Sequence, residues 1–297
     1  MKKILVFGGS GLVGSKFIEL FDGVYEIEAP KAQAVDILNK DQVSKVIDDF
    51  NPDSVINFAA YTNVEEAENQ AGDKNGIAFQ INAVGAKNVA EVCKVADKHL
   101  IHISTEYVFD GTKQDFPYNE DDKPNPINWY GQTKYQGEIE VNNTQGKNVI
   151  VRISMPYTAF YGQKKDVARF FLEQLKMGNK ISVVKDQQIT PTLVSDIAHA
   201  LKIILDNKAL GIYHVSGKDN TTPLDFAKTI VETFKLDYSL VSGVSLDEYN
   251  QNKKAKLLRN SSLNPAKFEK EFGDNILHTI EEALVIFKKE IDEGVKV

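Results

Sequence analysis

The feature that most constrains the fold of this chain is the alternation of short apolar segments with longer amphipathic ones. The segment 3–7 is an almost unbroken apolar run, which is typical of a strand buried on both faces. Within 40–50, by contrast, Val43, Ile47 and Phe50 recur at helical spacing. Strands that alternate with helices indicate a parallel sheet with right-handed crossover connections. We therefore expect an α/β protein with a doubly wound parallel sheet.

The same periodicity assigns elements along most of the chain. The predicted strands are 3–7, 24–28, 53–58, 100–103, 149–153, 181–184 and 211–215. The predicted helices are 11–21, 40–50, 77–98, 130–141, 167–177, 193–205, 223–234 and 276–289. The polar segment 253–263 has no clear assignment.

Composition restricts the classes of partner and compartment. Lys plus Arg number 35 against 42 Asp plus Glu, and this net charge of −7 argues against nucleic-acid binding. The single cysteine, Cys93, allows no internal disulfide and no thiolate zinc site, and the histidines show no metal-ligand spacing. The apolar run after Lys3 stops at Gly8, too early for a signal peptide or a membrane helix. We expect a cytoplasmic protein without metal, nucleic acid or membrane as a partner.

A glycine-rich turn follows the first predicted strand. Gly8, Gly11 and Gly14 allow a tight turn and a close approach of backbone N–H groups to a pyrophosphate, which the following helix N-terminus also attracts. The position of this Gly-x-x-Gly-x-x-Gly motif between strand and helix predicts a dinucleotide site. Glu28 at the end of the second strand favours a cofactor without a 2′-phosphate, whereas Lys31 nearby favours the phosphorylated form. The choice between them stays open.

A second group of polar residues follows the strand at 100–103. Ser104 and Thr105 close that strand, at the sheet edge where α/β proteins bind their ligands. Tyr130 and Lys134 are four residues apart in the next predicted helix and therefore share one face. An ammonium beside a phenol stabilises the phenolate, so we expect Lys134 to lower the pKa of Tyr130 and make it a proton donor.

Taken together, these motifs resemble the extended, nucleotide-sugar-modifying branch of the short-chain dehydrogenase/reductase superfamily. Sequence blocks along nearly the whole chain are similar to those of dTDP-4-dehydrorhamnose reductases: 57–68, 82–88, 104–111, 118–120, 124–128 and 130–138, with weaker ones at 152–154, 186–192 and 211–216. The resemblance implies a Rossmann-type dinucleotide-binding domain, placed at 1–154 and 190–216. It also implies a smaller C-terminal substrate-binding domain, placed at 155–189 and 217–297. Many members pair as dimers, so a homodimer is an option.

The resemblance also assigns roles to residues. Tyr130 is the expected proton donor to the sugar C4 carbonyl, Lys134 tunes it, and Thr105 binds the same oxygen. The expected contacts of the cofactor, NADP(H) or NAD(H), are Gly8, Gly11, Leu12, Val13, Gly14, Asp36, Ile37, Ala59, Ala60, Tyr61, Asn82, Tyr130 and Lys134. The expected substrate contacts are Thr62, Val64, Ser104, Glu106, Met155 and Arg259.

Departures from the family pattern fall on the substrate side. Glu106 stands where members commonly have Asp, and Met155 where they commonly have Trp. Arg259 is the candidate for an arginine that holds the nucleotide, and Ile189 stands near an expected glycine. The positive charges expected near a diphosphate are Arg152, Lys164, Lys165, Arg169 and Arg259.

The leading hypothesis from the sequence is therefore NAD(P)H-dependent reduction of the C4 keto group of a nucleotide-linked 4-keto-6-deoxy sugar. An epimerase or a 4,6-dehydratase on the same scaffold is the nearest alternative. Dehydratases of this branch generally carry an Asp-Glu pair after the catalytic Thr, whereas Thr105 is followed by the single acid Glu106. A non-catalytic regulatory subunit, like the methionine adenosyltransferase β subunit of the same branch, is the alternative outside enzymes.

Overall fold

The structure is a computed structural model that describes residues 1–160, 162 and 165–294. Its strands are β1 (Lys3–Phe7), β2 (Glu26–Glu28), β3 (Ser54–Asn57), β4 (His99–Thr105), β5 (Asn148–Ile153), β6 (Pro156–Tyr157), β7 (Ile181–Val184), β8 (Thr192–Leu193), β9 (Gly211–Val215) and β10 (Val241–Val244). Its helices are α1 (Leu12–Phe21), α2 (Lys40–Phe50), α3 (Val64–Glu68), α4 (Ile77–Phe79), α5 (Ala86–Val95), α6 (Trp129–Asn143), α7 (Val167–Lys176), α8 (Val194–Asp206), α9 (Pro223–Phe234), α10 (Leu246–Asn250), α11 (Ala266–Phe272) and α12 (Ile280–Asp292).

The chain divides into two compact units. The first contains 1–110, 123–152 and 201–213, and the second contains 111–122, 153–200 and 214–297. The sequence prediction placed 111–122, 153–154, 190–200 and 214–216 with the dinucleotide-binding domain instead. Long-range hydrogen bonds explain part of this difference, because the Tyr118 N–H donates to the Ser262 carbonyl and the Tyr118 carbonyl accepts from the Asn264 N–H.

A six-stranded sheet in the order β2-β1-β3-β4-β5-β9 organises the first unit. β1 pairs in parallel with β2 and β3, and β3 pairs in parallel with β4. Because β2 and β3 lie on opposite sides of β1, the strand order reverses there. In α/β sheets, ligands bind beyond the carboxyl ends of the strands at such a reversal. The glycine-rich turn after β1 lies at this point.

One face of this sheet is covered by α2 and α5. Val43 and Ile47 of α2 and Val89 of α5 are fully or almost fully buried there, as the helical spacing predicts. Asn39 begins α2 by accepting from the backbone N–H groups of Asp41 and Gln42. The fully buried Cys93 also lies in this core, where burial raises the pKa of its thiol to about 12.

The helix predicted over 77–98 is interrupted. A π-helix, Gln80–Gly85, separates α4 from α5. A Cβ at Gly85 would lie 2.5 Å from Ile37 Cδ1, so this helix packs tightly on the loop after β2. A long-range contact of this kind leaves no trace in hydrophobic periodicity, and π-helical segments are frequent at functional sites.

The second unit has its own core, in which α7, α9 and α12 pack around Tyr157. The Tyr157 ring lies 5.4 Å from the Phe226 ring and 5.5 Å from the Phe287 ring. β7 pairs in parallel with β10, and β6 pairs in parallel with β8. The short elements β6, β8, β10, α10 and α11 were not predicted.

Other boundaries also differ from those predicted. The helix predicted over 276–289 begins at Ile280, because Thr279 and Glu282 form a capping box. The residues described in the structure include no helix that is long and apolar enough to span a membrane.

Candidate functional site

The turn between β1 and α1 requires its glycines. Gly8 has φ +75°, and a Cβ there would lie 2.5 Å from the Ala59 backbone nitrogen. A Cβ at Gly14 would lie 2.7 Å from the Gly8 carbonyl oxygen. Gly11 N–H donates to that same carbonyl over 3.0 Å, and α1 begins at Leu12. Tight backbone packing thus places the N-terminus of α1, including Leu12 and Val13, at the carboxyl end of β1.

Two loops border this turn. After β2, Asp36 Oδ1 accepts from the Leu38 N–H over 2.9 Å, while Ile37 is buried in the core beneath α2 and α5. After β3, Asn57 Oδ1 accepts from the Ala59 N–H over 3.1 Å, which fixes the start of the segment containing Ala60 and Tyr61. The Asp36 carboxylate is exposed, whereas Ile37 is only 7% exposed.

Asn82 lies in the π-helix and connects the loop after β3 to α6. Its Oδ1 accepts from the Tyr61 N–H over 2.8 Å, and its Nδ2 donates to the Tyr61 carbonyl and to Thr133 Oγ1. Thr133 lies between Tyr130 and Lys134 in the sequence. A Cβ at Gly137 would clash with the Asn82 carbonyl oxygen, so that glycine permits the close approach of α6. The side chain predicted to bind cofactor therefore makes its hydrogen bonds to protein groups.

The end of β4 and the first turns of α6 bring together the three predicted catalytic residues. Thr105 Oγ1 donates to Glu106 Oε2 over 2.6 Å, and Thr105 also hydrogen-bonds the Tyr130 side chain. Lys134 Nζ donates to the Ile103 carbonyl over 2.7 Å. Thr105, Tyr130 and Lys134 are 6%, 8% and 3% exposed, so the whole group is buried.

The pKa values of this group correct one prediction. Burial raises the pKa of Tyr130, the charge of Glu106 raises it further, and the hydrogen bond from Thr105 opposes both. The expected lowering by Lys134 is not what the structure shows, because removal from water disfavours the phenolate more strongly. Burial lowers the pKa of Lys134 itself to about 8, against the opposing charge of Glu138.

The remaining predicted substrate residues of the first unit differ in burial. Thr62 is exposed, and Val64 at the start of α3 packs with Trp129 and Tyr130. Ser104 is only 2% exposed, and its Oγ has no hydrogen-bond partner among the residues described.

In the second unit, Met155 has φ +39°, which places a non-glycine residue in the left-handed region. Such a backbone conformation is strained and is often found at functional sites. Arg259 pairs with Asp186 over 3.2 Å and with Asp247 over 2.9 Å. Ile189 is buried and forms a backbone bridge to Thr221.

Three of the other basic residues expected near a diphosphate also have carboxylate partners. Arg169 pairs with Asp166 over 2.7 Å, and Lys165 pairs with Glu173. Lys164 lies outside the residues described. Arg152, which is 1% exposed, forms two hydrogen bonds to Glu138 and lies 5.1 Å over the Phe109 ring. Arg152 is therefore part of the interior of the first unit, which does not match its predicted place on a binding surface.

The family model described as RmlD substrate binding domain matches residues 1–291. The chain belongs to this family.

Relatives of the family align along most of the chain. A dTDP-4-dehydrorhamnose reductase of Aggregatibacter actinomycetemcomitans is 32% identical over 92% of this chain and 94% of its own. A solved dTDP-4-dehydrorhamnose reductase from Bacillus anthracis, in complex with NADP, is 32% identical. Its TM-score is 0.88, and the match covers 98% of this chain and 100% of that one. The methionine adenosyltransferase 2 subunit beta of Bos taurus is 30% identical over 80% of this chain and 74% of its own. The predicted family and the predicted Rossmann-type fold are confirmed.

Three residues that support the site in this family member were not predicted. Asn128 Oδ1 accepts from the Gly131 N–H, and Glu68 Oε2 accepts from the Trp129 N–H, so two side chains fix the N-terminus of α6. Glu138 lies about two helical turns after Tyr130 in α6 and accepts a hydrogen bond from Arg152. Asn128 was recognisable as a residue typical of N-caps before a helix. Glu68 and Glu138 had no local signal, since their partners come from other elements.

Proposed function

We propose that this protein is an NAD(P)H-dependent oxidoreductase that reduces the C4 keto group of a nucleotide-linked 4-keto-6-deoxy sugar. The observation that carries the proposal is the buried group of Thr105, Tyr130 and Lys134 in a member of this family. The named reductases among its relatives support the same substrate class.

The residues of the β1–α1 turn fit a dinucleotide. Gly8 and Gly14 allow this turn to pack closely on the backbone around it, where a Cβ would clash, and α1 presents its N-terminal N–H groups beside the turn. In the proposed site Gly8, Gly11, Leu12, Val13 and Gly14 hold the pyrophosphate. The adenine is bordered by Asp36 and Ile37, and the nicotinamide by Ala59, Ala60, Tyr61 and Asn82. Bound cofactor supplies the hydride for the sugar C4. The NADP in the Bacillus anthracis relative favours NADP(H), with NAD(H) as the alternative.

Tyr130 is the proposed proton donor to the carbonyl oxygen. Its raised pKa keeps the phenol protonated near neutral pH, so the proton is present when the reaction begins. Lys134 is held beside it by the Ile103 carbonyl and is placed to bind the nicotinamide ribose. Thr105 is the second group proposed to bind the reacting oxygen.

The proposed substrate contacts are Thr62, Val64, Ser104, Met155 and Arg259, while Glu106, which the sequence also predicts to contact the substrate, accepts a hydrogen bond from Thr105. Arg259 is half-exposed and holds two carboxylates, so a phosphate would have to replace at least one of them. We also propose a dinucleotide-binding and a substrate-binding domain, a cytoplasmic location and a homodimeric assembly, each of which can be measured directly.

The test is an assay of NADPH and NADH oxidation with a panel of 4-keto nucleotide sugars. We expect consumption with at least one sugar, and no consumption with any of them would refute the proposal. Tyr130→Phe should lower kcat by about 10²–10⁴-fold, because it removes the proton donor. Dinucleotide affinity, measured by calorimetry, should remain near the wild-type value. A fully active Tyr130→Phe enzyme would show that another group donates the proton.

A regulatory subunit is the second candidate, favoured by the 30% identity to the Bos taurus subunit. That function predicts dinucleotide binding and co-purification with a catalytic partner, without reduction of any nucleotide sugar. An epimerase would act on a nucleotide sugar without net consumption of NAD(P)H. The oxidation assay therefore separates the reductase from both alternatives, and identification of the sugar product separates an epimerase from a regulatory subunit.

A further inference from the structure

The hydroxyl of Thr105 has more potential acceptors than protons. A hydroxyl carries one proton and two lone pairs. Thr105 Oγ1 gives its proton to Glu106 Oε2 and accepts from the Tyr107 N–H over 3.3 Å. Tyr130 is also within hydrogen-bonding reach. If Thr105 is to donate to a substrate carbonyl, its proton has to leave Glu106.

The hydrogen bond between Thr105 and Glu106 is a strong one. Its length of 2.6 Å lies in the range of hydrogen bonds between a hydroxyl and a carboxylate, which are about twice as strong as neutral ones. Both residues are more than nine-tenths buried, so water competes poorly for either group. A buried carboxylate thus holds the proton that the proposed reaction needs.

We propose that Glu106 is a positioning residue that determines where the Thr105 hydroxyl proton points. As a carboxylate, Glu106 accepts this proton. As a neutral acid, it donates to Thr105 Oγ1 instead and leaves the Thr105 proton for the reacting carbonyl oxygen. The neutral acid forms when Glu106 takes up one proton from solvent water, and the hydrogen bond between Thr105 and Glu106 then reverses its direction. The proposal rests on the proposed reductase function.

The surroundings of Tyr130 also support this role of Glu106. The segment Glu106–Val108 packs on α6, where a Cβ at Gly131 would clash with the Tyr107 carbonyl oxygen. The charge of Glu106 raises the pKa of Tyr130, whereas the hydrogen bond from Thr105 lowers it. Ionised Glu106 therefore makes Tyr130 a weaker acid directly, and it also draws away the Thr105 proton that would stabilise the phenolate. Both effects slow proton delivery.

The first experiment separates kcat from KM in Glu106→Gln. An amide is uncharged and is a weaker acceptor than a carboxylate, so we expect kcat to rise by about three- to tenfold while KM stays within about twofold. In a Thr105→Val background the same substitution should raise the residual kcat much less than in the wild-type background. Any remaining increase comes from the loss of the negative charge near Tyr130. An unchanged or lower kcat, a change mainly in KM, or an equal gain in both backgrounds would overturn the proposal.

The second experiment needs no substrate. We would follow the ¹³C carboxyl resonance of Glu106 by NMR as a function of pH, with its assignment made by its loss in Glu106→Gln. Thr105→Val should raise the midpoint of Glu106 by about one pH unit, because the carboxylate loses a donor. Thr105→Ser keeps a hydroxyl and serves as the control that should titrate like the wild type.

An unshifted midpoint in Thr105→Val shows that Glu106 does not hold the Thr105 proton, and the proposal then fails whatever the enzyme reduces. A shifted midpoint with no reduction of any 4-keto nucleotide sugar gives the opposite result. In that case Glu106 does position Thr105, and the proposed function is what fails.

Discussion

The candidate cofactor site of the first unit and Arg259 of the second unit are held in place in different ways. In the first unit, backbone and buried side chains fix the candidate site: Gly8 and Gly14 leave no room for a Cβ, and Asn82 uses its amide on two other elements. In the second unit, Arg259 is held by Asp186 and Asp247, which are carboxylates that solvent or a ligand can replace. Tight packing makes a site specific for one geometry, whereas exchangeable ion pairs leave a choice of ligand.

The difference also bears on one departure from the pattern that the family resemblance implies. Arg259 lies in exposed ion pairs, whereas Glu106, another departure, is buried. Substitution in a packed turn or a buried network destabilises the fold, but substitution at an exposed ion pair changes stability little.

The largest effect is expected from breaking the buried ion pair of the first unit. Glu138→Gln leaves Arg152 charged and without its carboxylate in an interior where both are almost fully buried. Removing one partner of such a pair typically costs about 3–5 kcal/mol of the free energy of unfolding, measurable by urea denaturation. The control is Asp49→Asn, which breaks the exposed pair with Lys45 in α2 and should leave the urea midpoint unchanged. Equal losses in the two variants would remove the distinction between packed and exchangeable charges.

The next effect concerns the glycine turn. In Gly8→Ala the new Cβ meets the Ala59 backbone, and the left-handed φ adds strain, so we expect dinucleotide affinity to fall by about 100-fold or more. Gly23→Ala is a matched control, because Gly23 also has φ +80° but a Cβ there would meet nothing within 4 Å. Calorimetry with NADPH measures both. Wild-type affinity in Gly8→Ala would show that the turn does not hold the pyrophosphate.

How far the sequence could predict this molecule depends on how local each signal is. The β1–α1 turn and the pair Tyr130 and Lys134 follow from residues within a few positions of one another, and the family resemblance extended these to the fold. The π-helix at Asn82 depends on packing against Ile37, and the pair of Glu138 and Arg152 joins a helix to the next strand. The direction of the Tyr130 pKa shift was predicted wrongly, because it depends on burial by the whole unit rather than on one neighbouring lysine.

A smaller effect is expected at Arg259, and it tests whether a ligand can replace the exposed ion pairs of this arginine. If Arg259 holds the nucleotide phosphate, Arg259→Ala should raise KM for the nucleotide sugar about tenfold with little change in kcat, because a charge-assisted hydrogen bond is lost. Lys253→Ala removes one positive charge from the same exposed segment and serves as the control. A KM unchanged by Arg259→Ala, or raised equally by both substitutions, would place the phosphate elsewhere.

The smallest effect is expected from Asp247→Asn, which removes a competitor for Arg259 rather than a contact with the ligand. The Asp247 side chain is 83% exposed and holds Arg259 Nη2, whereas Asp186 also accepts from the Leu246 N–H and so has a structural role. Asp247→Asn should therefore release one side of the guanidinium and lower KM by about two- to threefold, within the range of exposed ion pairs. The gain should disappear at high salt, which already screens the pair in the wild type. A higher KM would mean that Asp247 aligns Arg259 for the phosphate, and the ion pairs of the second unit would then be as fixed as the glycine turn of the first.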